Sequence, residues 1–262
     1  MPRFAVNLSM VFTEYLVLER FDRAAAAGFD AVEFLFPYDQ DIAAIGDALA
    51  RNGLTQVLFN LPAGDFAAGQ RGIANDPARV AEFRDGVERA LEIAARLGVR
   101  TLNCLVGLDV PGVSRERQWE TAAENLAHAA GRAEAAGVRQ VVEPLNRFDA
   151  PGFLIGTTAE ALALIDRAGH PNLALQYDVY HAQRVEGNLV ETIRANIGRI
   201  GHVQVADTPG RHQPGTGEIA FPFVFAALEE VGYTGHISGE YVPLGPSEAS
   251  FGWFEEWRER DR

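Results

Sequence analysis

Short apolar runs alternate with longer amphipathic segments from one end of the chain to the other. The runs at 3–9 (RFAVNLS), 30–36 (DAVEFLF), 54–60 (LTQVLFN), 99–106 (VRTLNCLV), 138–143 (VRQVVE), 173–179 (LALQYDV), 200–206 (IGHVQVA) and 235–240 (GHISGE) have the length and apolar density of buried strands. Helical patterns lie between them at 13–27, 39–52, 77–97, 115–136, 158–168, 188–198 and 221–231, with a last one at 250–260. Eight strands each followed by a helix imply parallel pairing throughout. The pattern predicts a single-domain α/β fold over residues 1–262, a closed (β/α)8 TIM barrel. An open doubly wound sheet is the competing arrangement. It rarely needs eight equal units, and no G-x-G-x-x-G follows the first strand.

The punctuation agrees with this reading. AAAAGFD, ARNGLT, ARLGVR, EAAGVR and EVGYTG each place a glycine just past a helix, where a left-handed residue precedes the next strand. Thr157 with Glu160 reads as a capping box, and Pro77 as the first residue of the third helix. Two glycine-rich loops, 61–76 after the third strand and 207–220 after the seventh, are longer than the rest. Both fall on the strand-to-helix side, where barrels carry their active sites, so both are candidate substrate clamps.

With 47% hydrophobic residues, the chain can bury a core without disulfides or a structural metal. The first ten residues read as a strand rather than a signal peptide, and no apolar run nears the roughly 18 residues of a membrane span. Cys104, the single cysteine, sits in an apolar strand and cannot form an internal disulfide, which fits a reducing cytoplasm. The net charge of −13 argues against nucleic acid or an anionic membrane as partner. A homo-oligomer is compatible with this composition. All 23 basic residues are arginine. Schiff-base aldolase chemistry, pyridoxal phosphate attachment and a P-loop each need a lysine, so all three are excluded.

Strands buried on both faces should be apolar, so polar residues at their C-terminal ends call for a reason. Glu143 ends the fifth strand, Asp178 the sixth and Glu240 the eighth, and Gln204 lies near the end of the seventh. In a closed barrel these four surround one point. Three carboxylates so close repel one another, and burial raises their proton affinity. A divalent cation relieves the repulsion, and hard oxygen donors suit Mg2+ or Mn2+ better than Zn2+. The alternative is that each acid merely caps a strand end with an arginine such as Arg147 or Arg211.

Several stretches carry a resemblance across nearly the whole chain: LFNLPAGDF running into GQRGIA, EPLNR, QYDVYH, HVQVAD followed by PGRHQPGTGEI, and GEY. In these the chain resembles the hydroxypyruvate isomerase family, within the wider xylose-isomerase-like barrel superfamily that also holds ketose 3-epimerases and endonuclease IV. The resemblance implies that Glu143 and Glu240 are the acid/base pair, and that Glu143, Asp178, Gln204 and Glu240 ligate a metal. Ketose epimerases usually show histidine where Gln204 stands, so the donor is weaker here.

The implied reaction interconverts hydroxypyruvate and tartronate semialdehyde, moving a carbonyl between adjacent carbons through an enediolate. The substrate carboxylate needs a cation, for which Arg71 and Arg211 in the two long loops are candidates. His181 can bond a substrate oxygen, and Asn60 at the end of the third strand can touch substrate. His128, His170, His202 and His236 read as structural, and Glu33 has no assigned role. A 2-oxo-tetronate isomerase, a ketose 3-epimerase and, from another class, a two-carboxylate glycoside hydrolase are the alternatives. An endonuclease with three zinc ions would need more histidines and a basic groove.

Overall fold

The computed structural model describes residues 3–259. Its strand segments are β1 (Arg3–Asn7), β2 (Ala31–Glu33), β3 (Thr55–Gln56), β4 (Phe59–Asn60), β5 (Thr101–Cys104), β6 (Arg139–Val142), β7 (Leu173–Asp178), β8 (Ile200–Val205) and β9 (His236–Gly239). Every pairing is parallel, in the order β3-β2-β1-β9-β8-β7-β6-β5-β4. The two ends of that order, β3 and β4, are halves of one extended segment. Val57 N–H donates to Val32 on one side, at 2.9 Å, and Leu61 N–H to Asn103 on the other, at 2.8 Å. The ladder therefore returns on itself, and the expected eight-membered barrel is closed. Tilted barrel strands meet each neighbour over a short stretch only, which is why the expected single strand at 54–60 divides in two.

The helices are α1 (Val17–Ala26), α2 (Ile42–Asn52), α3 (Val80–Leu97), α4 (Arg115–Ala135), α5 (Thr158–Ala168), α6 (Val179–Val185), α7 (Leu189–Asn196), α8 (Phe221–Glu230) and α9 (Gly252–Glu259). Their caps explain their limits. Asp41 accepts hydrogen bonds from the N–H groups of Ala43 and Ala44, and Ser114 from that of Arg117. Gly53 and Gly98 end α2 and α3 at φ of 63° and 70°, a conformation that costs glycine little. The capping box at α5 is half formed. Thr157 accepts from Glu160 N–H, but the Glu160 carboxylate bonds Gly156 N–H rather than that of Thr157. The first helix starts at Val17 rather than residue 13, because Leu16 is extended and its N–H is taken by the Glu19 carboxylate. The third begins at Val80, with Pro77 in the turn before it.

One helix, α6, was not expected. Its seven residues are too few for an apolar period to show, and Asp178 caps its N-terminus by accepting from Tyr180 N–H. At the other end of the chain Trp253 and Trp257 pack on the barrel wall. Both face Phe4 and Phe225 with ring centroids 5.3–6.5 Å apart, so aromatic packing holds the last helix to the barrel. Among the described residues no helix is long and apolar enough to cross a membrane.

Phe4 joins the first strand to α8 and α9 at once. Its replacement by alanine should cost about 3–5 kcal/mol of stability, read from the urea unfolding midpoint. A loss under about 1 kcal/mol would show that the C-terminal helix is only loosely attached.

Candidate active site

Buried strands deliver polar side chains to one mouth of the barrel. Asp178 is both the last residue of β7 and the N-cap of α6. Its Oδ1 accepts Tyr180 N–H at 2.8 Å, whereas Oδ2 is buried and accepts no hydrogen bond. That free oxygen lies 3.6 Å from both His181 Nε2 and Arg211 Nη2. Glu143, directly after β6, accepts from Asn103 Nδ2 at 2.9 Å through Oε2, and its Oε1 is 4.0 Å from His181 Nε2. Glu240, directly after β9, accepts from Arg211 Nη2 at 2.5 Å on Oε2 and from Asn7 and Gln204 on Oε1. The three acids expected to converge do converge.

Their electrostatics follow from burial. Burial, then the charges of Glu240 and Asp178, push the Glu143 carboxyl well above the usual carboxylate range. Burial raises Asp178 as well, partly offset by Arg211 and by the N–H groups capping it. Glu240 is raised to about 8 by burial and by Asp178 and Glu33, with Arg211 opposing. Burial alone would lower Arg211, but the three acids around it outweigh that and hold it above its ordinary value.

Arg211 sits in the long loop at 207–220, with φ of 54°. The Asp207 carboxylate gathers that loop by accepting the N–H groups of Thr208, Gly215, Gly217 and Ile219. The loop is thereby held over the barrel, and Arg211 reaches inward across the Tyr180 ring.

His181 has a defined role from its surroundings. Its Nδ1 accepts Asn146 N–H at 3.1 Å, and a backbone N–H can only donate. Burial drives the ring pKa well below 6.5, so the imidazole is neutral and its one proton sits on Nε2, facing Glu143 and Asp178. Among the described residues, Glu143, Asp178 and His181 form a group with ligating atoms within 4.8 Å of one another, a spacing that can hold a metal ion. With Nδ1 occupied in this way, His181 contributes a hydrogen-bond donor rather than a lone pair.

Gln204 departs from the expectation of a metal ligand. Its Nε2 faces Glu33 at 2.6 Å and Glu240 at 3.1 Å, and its oxygen accepts from Gln176 at 2.6 Å. Carboxylates attract the NH2 end of the amide, so the oxygen is turned away. To ligate a cation through oxygen the amide would have to turn over.

The remaining candidates line one cavity of about 180 Å³ together with Glu143, Glu240, His181 and Arg211. Asn60 lies on its wall, its Oδ1 accepting from Asn103 Nδ2 at 3.1 Å. Arg71 lies at its edge, stacked 4.0 Å over Phe66 and donating to the carbonyls of Phe66 and Gln70. The alternative that Arg147 caps an acid finds no support, since its guanidinium lies over Phe148. Met10, Leu35, Leu105 and Leu145 supply apolar wall.

Sequence reasoning missed a layer of polar side chains beneath the acids: Asn7, Asn103 and Gln176, with Glu33 and His202 left without a site role. All five are buried. Their one visible signal was a polar letter within an apolar strand.

Comparison with known proteins agrees with this geometry. Residues 21–257 match the model of the xylose isomerase-like TIM barrel family. The hydroxypyruvate isomerase of Escherichia coli (strain K12) is 48% identical over 98% of this chain and 100% of its own length. A 2-oxo-tetronate isomerase of Cupriavidus necator is 44% identical over 97% of this chain and 98% of its own. A crystal structure from Brucella melitensis, described as an AP endonuclease of family 2, superposes with a TM-score of 0.95 at 46% identity, covering 98% of this chain and 99% of that one. The chain belongs to the xylose isomerase-like TIM barrel family, on its hydroxypyruvate isomerase branch.

Proposed function

We propose that the enzyme interconverts hydroxypyruvate and tartronate semialdehyde, with Glu143 and Glu240 moving the protons. The observation that carries this reading is the pair of buried glutamates, both held toward the protonated form, on one small cavity that also holds Arg211 and His181. Carboxyls of raised proton affinity are suited to exchange protons with carbon near neutral pH. The glutamate that has given up its own proton takes one from the hydroxymethyl carbon, and the electron pair passes through an enediolate. The other returns a proton to the neighbouring carbon, while the hydroxyl proton crosses to the former carbonyl oxygen. His181 Nε2–H bonds a substrate oxygen, and Arg211 leaves Glu240 to receive the substrate carboxylate, as only a guanidinium can do in bidentate form. Arg71 and Asn60 close the cavity around the bound acid.

The donor set fits a hard divalent cation. Asp178 Oδ2 is a buried carboxylate oxygen with no hydrogen bond, and the Arg211 guanidinium that it shares with Glu240 is in ion-pair range of both. Glu143, Asp178 and Glu240 would hold Mg2+ or Mn2+, with Gln204 joining by a turn of its amide. Such an ion supplies Lewis-acid stabilisation of the enediolate oxygens. A cavity of about 180 Å³ is smaller than the roughly 300 Å³ at which drug-sized pockets begin, which favours three- and four-carbon acids over ketoses. A net charge of −13 repels a nucleic acid strand, so the endonuclease description of the Brucella melitensis structure does not carry over. Cys104, whose thiol burial pushes up to about 12, is inert, as suits the cytoplasm in which we place the enzyme.

Proton NMR in D2O, with hydroxypyruvate, 2-oxo-tetronate and a ketose offered separately, tests the reading. Deuterium should enter hydroxypyruvate at carbon 3; exchange into none of the three would end the isomerase assignment. Glu143→Gln and Glu240→Gln should each lower kcat by roughly 10²–10⁴-fold. Arg211→Ala should raise KM by about 10- to 100-fold, as loss of a charge-assisted contact of roughly 1.5–3 kcal/mol requires.

The raised carboxyls also set a pH dependence. Between the ordinary glutamate value and about 8, Glu240 keeps in the folded chain a proton that the unfolded chain has released. The metal-free fold is therefore stabilised least at the alkaline end, and its melting temperature should fall as pH rises through that window. Glu240→Gln should flatten the slope. Mg2+ or Mn2+ should raise the melting temperature more at the alkaline end than at the acid end, because carboxylates bind metal only when ionised. An equal rise at both ends would show that the cation binds elsewhere.

A further inference from the structure

Glu33, on β2, has a fully buried side chain and does not line the cavity. A charge in such a place needs partners, and all of those it finds are side chains. His202 Nε2 meets its Oε2 at 2.8 Å; Asn7 Nδ2 at 2.9 Å and Gln204 Nε2 at 2.6 Å both donate to its Oε1. Each amide then makes a second bond from the same nitrogen. Asn7 and Gln204 donate to Glu240 Oε1 at 2.9 and 3.1 Å. The Gln204 oxygen is taken by Gln176 Nε2 at 2.6 Å, so its NH2 group faces the two acids and gives one proton to each. For Asn7 the orientation is also fixed from behind, since its Oδ1 accepts Ser9 N–H at 2.9 Å.

Two amides thus stand as parallel bridges between two carboxylates. Their effect falls on Glu240. Its Oε1 is pinned from below, which leaves Oε2 as the oxygen that faces Arg211 and the cavity. Without the lower acceptor each amide keeps only the bond at its oxygen and the one to Glu240, and the hold on the long Glu240 side chain loosens.

We propose that Glu33, anchored by His202, is a positioning residue for Glu240, acting through the Asn7 amide bridge, which metal binding leaves in place, and through that of Gln204 in the metal-free site, to aim Oε2 at the substrate. The inference rests on the reading of Glu240 as a proton-transfer group, and Glu33 itself touches no reacting atom.

The test compares Glu33→Ala, Glu33→Gln, Asn7→Ala and Glu240→Gln, each assayed with saturating Mn2+ and checked for a cooperative melt. Glu33→Ala should lower kcat by 10- to 100-fold and leave KM within two-fold, because the groups holding the substrate carboxylate are untouched. Glu33→Gln keeps an oxygen that can accept from both amides, with His202 changing tautomer to receive its NH2, and should recover most of the lost kcat. Asn7→Ala removes one bridge while Glu33 stays paired, so it folds even if Glu33→Ala does not, and should show the same kcat-only loss. In a Glu240→Gln background, Glu33→Ala should change the residual deuterium-exchange rate by less than two-fold, since residues that act through one group are not additive. A folded Glu33→Ala enzyme with the parent kcat overturns the proposal, as does Glu33→Gln no better than Glu33→Ala. Full activity in Glu240→Gln would instead remove the reading on which it stands.

Discussion

Like charges forced together out of water govern this molecule. Glu143, Asp178 and Glu240 sit at the ends of strands that barrel closure leaves no freedom to separate, and Glu33 adds a fourth buried acid below them. Bringing carboxylates out of water at such range costs more than the fold can absorb unless protons, cations or donors compensate. Each compensation on view has a counterpart in the proposed chemistry. The raised proton affinity of Glu143 and Glu240 becomes the means by which one delivers a proton to carbon and the other takes one away. The guanidinium resting on Glu240 becomes the holder of the substrate carboxylate. The donors crowded beneath become the frame that keeps the acids aimed.

This frame explains why so much of the barrel interior is polar. Asn103 ties Glu143 to Asn60, Gln176 ties β7 to β8 through Gln204, and Asn7 reaches Glu33 and Glu240 from the first strand. A wholly apolar interior would be easier to stabilise. It would leave the acids of the site resting on groups that cannot donate to them. Several buried amide oxygens, those of Gln56, Asn103, Gln140 and Gln176, accept no hydrogen bond, so order in this layer carries a real cost.

Much of the architecture was legible in the sequence because it is written locally. Alternating apolar runs and glycines after helices need only neighbouring residues to be recognised, and the barrel order follows from them. Glu143, Asp178 and Glu240 were also visible, since each ends an apolar run with an acid. Gln204 was found at its position but not in its orientation, which is decided by Glu33 on a distant strand. Glu33 and His202 lie 169 positions apart, and Asn7 and Glu240 lie 233 apart. A polar residue in a strand signals only that a partner exists; which partner it meets is settled by closure of the ring. The short α6 and the divided third strand escaped for a different reason, being too brief for any period to register.

The loop carrying Arg211 is shaped by one side chain, Asp207, whose oxygens accept four of the segment's backbone N–H groups. Backbone N–H groups belong to every residue type except proline, so these four bonds ask nothing of the donors' side chains, but the bend does: Gly215 has φ of 91°, and a Cβ on Gly217 would lie 2.0 Å from the Thr208 carbonyl oxygen. Of the side chains along 212–218, His212 and Gln213 are also taken, by the Val242 carbonyl and the Leu244 N–H. A change in the size of the bound molecule would therefore be written on the cavity wall, at Met10, Leu35, Leu105 and Leu145, rather than along this loop.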